Sequence, residues 1–169
     1  MLPLSYLGCV NIGVRLVREQ FPDAQLYEVQ GAAPNNAAVM RVTEITHLHL
    51  VFQAEEGRGT AFITTAGSWG EFGPVYYVGQ PWLEDVVIPW PIDMDASEAD
   101  KLLRAEYHGP YDSMLLRHPL YPSDDEPYYI FHMVDIGFVF VGVNSKKVFR
   151  PAQDLAEKMA IPTSVAKKD

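Results

Sequence analysis

The chain carries one cysteine, Cys9, in 169 residues, so no disulfide can close within it and its compartment cannot be read from bridges. No run of apolar residues approaches the length that crosses a bilayer as a helix, which argues against a membrane span. Basic side chains are scarce: 13 Lys and Arg stand against 22 Asp and Glu, for a net charge of −9. A phosphate backbone would be repelled by most of such a surface, so no nucleic-acid partner is expected. Local catalytic signatures are missing as well. There is no Gly-x-Ser-x-Gly elbow, no dinucleotide fingerprint and no Cys–His pair in a plausible context. The expectation from these absences is no catalytic residue, no bound metal and no cofactor.

Cys9 itself lies between Gly8 and Val10 in an apolar helical pattern, which points to a buried small hydrophobe rather than a nucleophile. Leu7-Gly8-Cys9 also has the form of a lipoprotein cleavage site. No basic residue precedes it, however, Pro3 interrupts a very short apolar run, and Tyr6 stands where a small aliphatic residue is wanted.

What is present is the balance of a globular chain, 48% hydrophobic and 21% charged. Leu7, Val10, Val14, Val17 and Phe21 recur at intervals of three and four and predict an amphipathic helix that Pro22-Asp23 ends. Leu26 to Val29 reads as a short strand, followed by a polar loop holding Gly31, Pro34, Asn35 and Asn36. The segment 42–53 alternates, with Leu48, Leu50 and Phe52 on one face and His47, His49, Val51 and Gln53 on the other. A tight connection over 55–59 returns it to a strand at 60–65, and a short apolar strand follows at 75–78.

Residues 80–94 hold Pro81, Pro89 and Pro91, which exclude a helix, beside Trp82, Val86, Val87, Ile88 and Trp90, which are too apolar for a free linker. The pattern then recurs. Asp95 has the form of an N-cap with Glu98 placed to reach back to it. Ala99, Leu102, Leu103 and Tyr107 make a helical stripe, and His108-Gly109-Pro110 stops it. Strands are expected at 113–117, 128–134 and 138–143, with Tyr129, Phe131 and Met133 facing inward. A short helix is expected over 152–159, ahead of a polar tail.

The expected fold is therefore α+β: two related halves, each a helix plus an antiparallel meander, with the helices packed on one face of the sheet. The first half spans 1–79, the connector 80–94, the second half 95–150, and the C-terminal helix and tail 151–169.

The second-half pattern closes on Phe138-Val139-Phe140-Val141-Gly142-Val143-Asn144 and a turn before Val148. This layout resembles the PepSY-like domains and is similar to tandem cystatin-like folds such as the secreted β-lactamase inhibitor proteins. The likeness covers most of 95–150 and more faintly 7–78. It implies a non-catalytic module that binds or inhibits peptidases or other proteins.

Candidate functional residues follow from the faces. His47 and His49 project from one side of a strand, a spacing that can hold a metal, yet no third ligand is near in sequence. On the corresponding face of the second half stand Tyr128, Ile130, His132 and Val134, an outer face apolar enough to need a cover. Trp69 and Phe72 sit on the glycine-rich stretch 67–74 and either contact a partner or fold back on the core. Asp124-Asp125-Glu126 reads as a solvated acidic turn.

Three functions compete. The first is a protein-binding or inhibitory module using Trp69, Phe72, His47, His49, Tyr128, Ile130 and His132. The second is a small-molecule enzyme or carrier with a pocket between the halves lined by Trp82, Trp90, Tyr76 and Tyr77. The third is a structural subunit of a homo-oligomer.

Overall fold

The structure, a computed structural model, describes residues 4–83, 85–120 and 125–151. The helix expected over 152–159 and the tail beyond it lie outside the described residues. The first helix, α1, covers Tyr6–Gln20 and begins at Ser5, whose hydroxyl accepts from Gly8 N at 2.9 Å. Four strands follow: β1 (Gln25–Ala32), β2 (His47–Ala54), β3 (Gly59–Thr64) and β4 (Tyr76–Val78). A two-residue strand β5 (Asp85–Val86) precedes α2 (Ala96–Arg104). The remaining strands are β6 (Tyr111–Pro119), β7 (Tyr128–Met133), β8 (Gly137–Gly142) and β9 (Val148–Phe149).

The nine strands form an antiparallel sheet in the order β4-β3-β2-β1-β6-β7-β8-β9, with β5 pairing β6 off that path. The chain is thus α+β. β1 and β6 meet at its centre, with Glu28 opposite Arg117 and Val29 opposite Leu116. Strand alternation then sorts every side chain to one of two faces. Leu48, Leu50 and Phe52 join Tyr129, Phe131 and Met133 in one hydrophobic core, all at most 1% exposed, together with Cys9, Val10 and Val17 of α1 and Ala99 and Leu103 of α2. Both helices therefore cover the same side of the sheet, here called the inner face. Close approach of α1 needs Gly13: a Cβ there would lie 2.6 Å from Leu50 Cδ2.

Several local expectations are corrected. Gly31 does not open a loop; β1 runs on to Ala32, and Gly31 pairs Leu48 on one side and Met114 on the other. A side chain at 31 would press on Ile45 and on the Met114 carbonyl, so the missing Cβ serves packing, not a turn. The alternation from 42 does not begin a strand there, because Val42–Glu44 is a 3-10 turn and pairing starts at His47. Glu98 does not reach back to Asp95; its carboxylate lies 3.1 Å from Lys146 Nζ. Asp95 Oδ2 accepts instead from Ser97 N at 3.1 Å, and Asp95 Oδ1 accepts from Leu7 N at 3.0 Å. One carboxylate thus serves the unpaired N–H groups at the starts of both helices, where their dipoles favour negative charge. Glu126 is not solvated. It is buried and accepts from Asn144 N at 2.8 Å and Ser145 N at 2.9 Å, pinning the β8–β9 turn.

The connector 80–94 touches elements from both ends of the chain. Val86 pairs His118, Ile88 N donates to Leu26 O at 2.8 Å, and Trp90 Nε1 donates to Asn11 Oδ1 at 2.8 Å.

Candidate functional site: the outer face of the sheet

Pairing register fixes the face away from the helices, the outer face. One row across it reads Tyr76–Phe62–Val51–Glu28–Arg117–Tyr128; the next reads Thr64–His49–Gln30–Leu115–Ile130–Phe140–Phe149. A charged network occupies the middle. Arg117 Nε and Nη2 each lie 2.7 Å from Asp85 Oδ1, while Glu28 Oε1 is 4.0 Å from the guanidinium. Gln30 Nε2 donates to Glu28 Oε2 at 2.5 Å, and Trp82 Nε1 donates to Asp85 Oδ2 at 3.0 Å. All three charged residues are buried. Burial first, and the Asp85 carboxylate second, push the Glu28 carboxyl up to about 8 against the opposing pull of Gln30 and Arg117. Glu28 therefore holds a proton at neutral pH and bridges the carboxylate beside it.

On the β6–β9 side of this network the face is closed. Tyr128, Ile130 and Phe140 are at most 1% exposed and form a second apolar cluster with Leu115, Phe138 and Phe149 around them. Tyr128 and Ile130 are thus interior residues, because the cluster hides what strand parity alone would leave on a surface. His132 lies at the margin of the cluster, half-buried, with Nδ1 2.7 Å from Asp112 Oδ1 and its ring 4.8 Å from that of Phe138.

On the β2–β4 side the face is open. Tyr76 is 63% exposed and Val78 43%. Phe62, half-buried, lies between them and the rest of the sheet, its ring 5.5 Å from His49 and 6.4 Å from Trp82. His49 Nδ1 is 2.7 Å from Thr64 Oγ1, and burial lowers its pKa, so the ring is neutral at pH 7. His47 is exposed at the start of β2. The two histidines share a face as their spacing requires, but no group of three His, Cys, Asp or Glu is gathered for a metal among the described residues.

Trp69 and Phe72 fold back. Trp69 Nε1 donates to Leu4 O at 2.8 Å, Phe72 pairs Thr65 in a bridge, and both rings pack on the main core. Their apolar area closes the loop over α1, and both rings remain half-buried.

Sequence reasoning placed Tyr76, Tyr77, Trp82 and Trp90 together around one pocket. The structure separates them. Tyr76 is on the outer face; Tyr77 is on the inner, stacked at 5.2 Å on Phe21 with its hydroxyl donating to Glu55 Oε1. Trp82 stands against Phe62, and Trp90 lines a cavity together with Arg18 and His118. The signal for Tyr76 and Val78 was the period of two, which sets 76 and 78 together against 77.

No protein-family model matches the chain, and no curated protein matches it. A solved structure described as a "putative lipoprotein", from Clostridium difficile 630, is similar in fold, with a TM-score of 0.54 at 10% identity over 87% of this chain and 91% of that one. At that identity the likeness concerns the fold alone. No helix among the described residues is long and apolar enough to cross a membrane.

Proposed function

We propose that this chain is a non-catalytic protein-binding module, inhibitory or regulatory, that takes an extended basic segment of its partner against β4 and the open part of the outer face. The observation that carries the reading is the exposure of Tyr76 (63%) and Val78 (43%) beside Phe62 and Trp82. Tyr and Trp dominate binding energy when a partner excludes water from them. β4 is the terminal strand of the sheet, pairing only β3 among the described residues, so its free edge can accept a further strand. The net charge of −9 draws a basic segment in preference to an acidic one.

The resemblance to PepSY-like and tandem cystatin-like proteins, which bind or inhibit other proteins, supports the same class of function. The order helix then meander on either side of the β1–β6 pair supports reading the chain as two related halves.

The test compares wild type, Tyr76→Ala/Val78→Ala and Trp69→Ala as baits in native extract, followed by mass spectrometry. The reading expects a polypeptide retained by wild type and Trp69→Ala but lost from the Tyr76/Val78 variant. Identical recovery by all three baits removes β4 as the contact. A concentration-dependent dimer in sedimentation, abolished by the same double variant, would make a second copy of this chain the occupant and favour the homo-oligomer reading.

A further inference from the structure

We propose that a cavity on the far side of the connector, separate from the β4 surface, binds a small organic carboxylate with a flat apolar body. The cavity measures about 460 Å³, within the range of small-molecule sites. Its apolar wall is the connector: Ile88, Pro89 and Trp90. Its polar groups come from five other places in the chain: Arg18 near the end of α1, Gln25 at the start of β1, His118 near the end of β6, Asp125 ahead of β7, and Asn144 after β8.

The wall is held at several points. Val86 pairs His118, Ile88 N donates to Leu26 O at 2.8 Å, and Trp90 is fixed through Nε1 to Asn11 at 2.8 Å. A ligand entering would find the indole already oriented, which lowers the ordering cost of binding. Arg18 is held too, but through one nitrogen only. Its Nε donates to Ala24 O at 3.0 Å, and its two terminal nitrogens have no partner among the described residues. A guanidinium pinned by Nε presents those nitrogens as a fork, the geometry that receives a carboxylate through two parallel hydrogen bonds.

His118 adds a second polar contact. It is 6% exposed, with Nδ1 3.3 Å from Pro119 O and Nε2 3.3 Å from Asp125 Oδ1. Both neighbours are acceptors, and a neutral imidazole has one N–H to give. Asp125 projects into solvent, with Oδ1 3.3 Å from His118 Nε2. Among the described residues the lining holds Arg18 as its cation, no lysine, and an aromatic wall. That combination suits a single carboxylate on a planar body better than a phosphate or an amine.

The probe is indole-3-acetate, titrated into the full chain by calorimetry, with tryptamine as the counterpart that replaces the carboxylate by an ammonium. Indole-3-acetate is expected to saturate with a dissociation constant below about 1 mM, and tryptamine not to bind measurably. Arg18→Gln should weaken the probe at least about tenfold, as expected for loss of a charge-assisted bidentate contact. Val87→Trp, which places a bulky ring in the cavity, should abolish binding, and thermal melting checks that each variant is folded. Tyr76→Ala should bind the probe as wild type does, which keeps this test independent of the β4 surface. No saturable binding of indole-3-acetate, tryptamine binding as tightly, or full affinity in Val87→Trp would each overturn the proposal.

Discussion

The two sides of the outer face share their alternation and differ in their fate. Beside the β1–β6 seam, β7 and β8 place Tyr128, Ile130 and Phe140 on it at no more than 1% exposure, while β3 and β4 place Phe62 and Tyr76 there half-buried and 63% exposed. Strand period decides which face a residue joins. Whether that face is dry depends on what lies over it, which no local pattern reports. Between the two sides runs the Glu28–Arg117–Asp85 network, tied by Asp85 to Trp82 and hence to the connector.

The largest expected effect falls on that boundary. Arg117→Met leaves two buried carboxyl groups without their cation and should cost about 3–5 kcal/mol in urea unfolding. A cost below about 1 kcal/mol would mean that the network is weakly coupled to folding. Next comes the closed side: Ile130→Ala should cost about 3 kcal/mol, the price of a cavity in a packed interior, whereas Tyr76→Ala on the open side should stay within about 0.5 kcal/mol of wild type. Equal costs at the two positions would erase the distinction between the sides.

Glu28 sharpens the comparison through pH. Its carboxyl is pushed from an ordinary 4.5 to about 8, so between those values the folded chain keeps a proton that the unfolded chain has released. Stability contributed by this group is therefore complete below pH 4.5, falls as pH rises toward 8, and is level beyond, with a slope of at most about 1.4 kcal/mol per pH unit. Glu28→Gln, which mimics the protonated acid, should remove that slope and gain on wild type at pH 8 relative to pH 5. Urea midpoints at the two pH values decide it; parallel shifts in both proteins would show that Glu28 is already ionised. A smaller cost than at Arg117 or Ile130 is expected at the helix starts. Asp95→Ala should cost about 1–2 kcal/mol, more than Ser5→Ala, since Asp95 serves two helix starts and Ser5 one.

Much of the fold was legible. The stripe Val10–Val14–Val17, the N-cap at Asp95 and the inward triplets Leu48–Leu50–Phe52 and Tyr129–Phe131–Met133 stand where their periodicity put them. These are readings of local geometry, and local geometry survives folding. The candidate site was legible only in part. His47 and His49 share a face, but Trp69 and Phe72, which composition left open, are turned to α1 by the Leu4 carbonyl and the space over Gly13. Glu126 read as solvent-exposed because nothing in its neighbourhood names Asn144 and Ser145, eighteen and nineteen residues on, as its partners.

The sequence by itself determined the α+β class and which side chains share a face, because both follow from backbone periods of 3.6 and 2. Tertiary structure alone decided that the outer face is dry beside Tyr128 and open beside Tyr76. It likewise brought Glu28, Asp85 and Arg117 into one buried network, and Arg18 and His118 to one cavity. Those outcomes depend on contacts between residues far apart in the chain, whose energies are set by burial and not by neighbours in sequence.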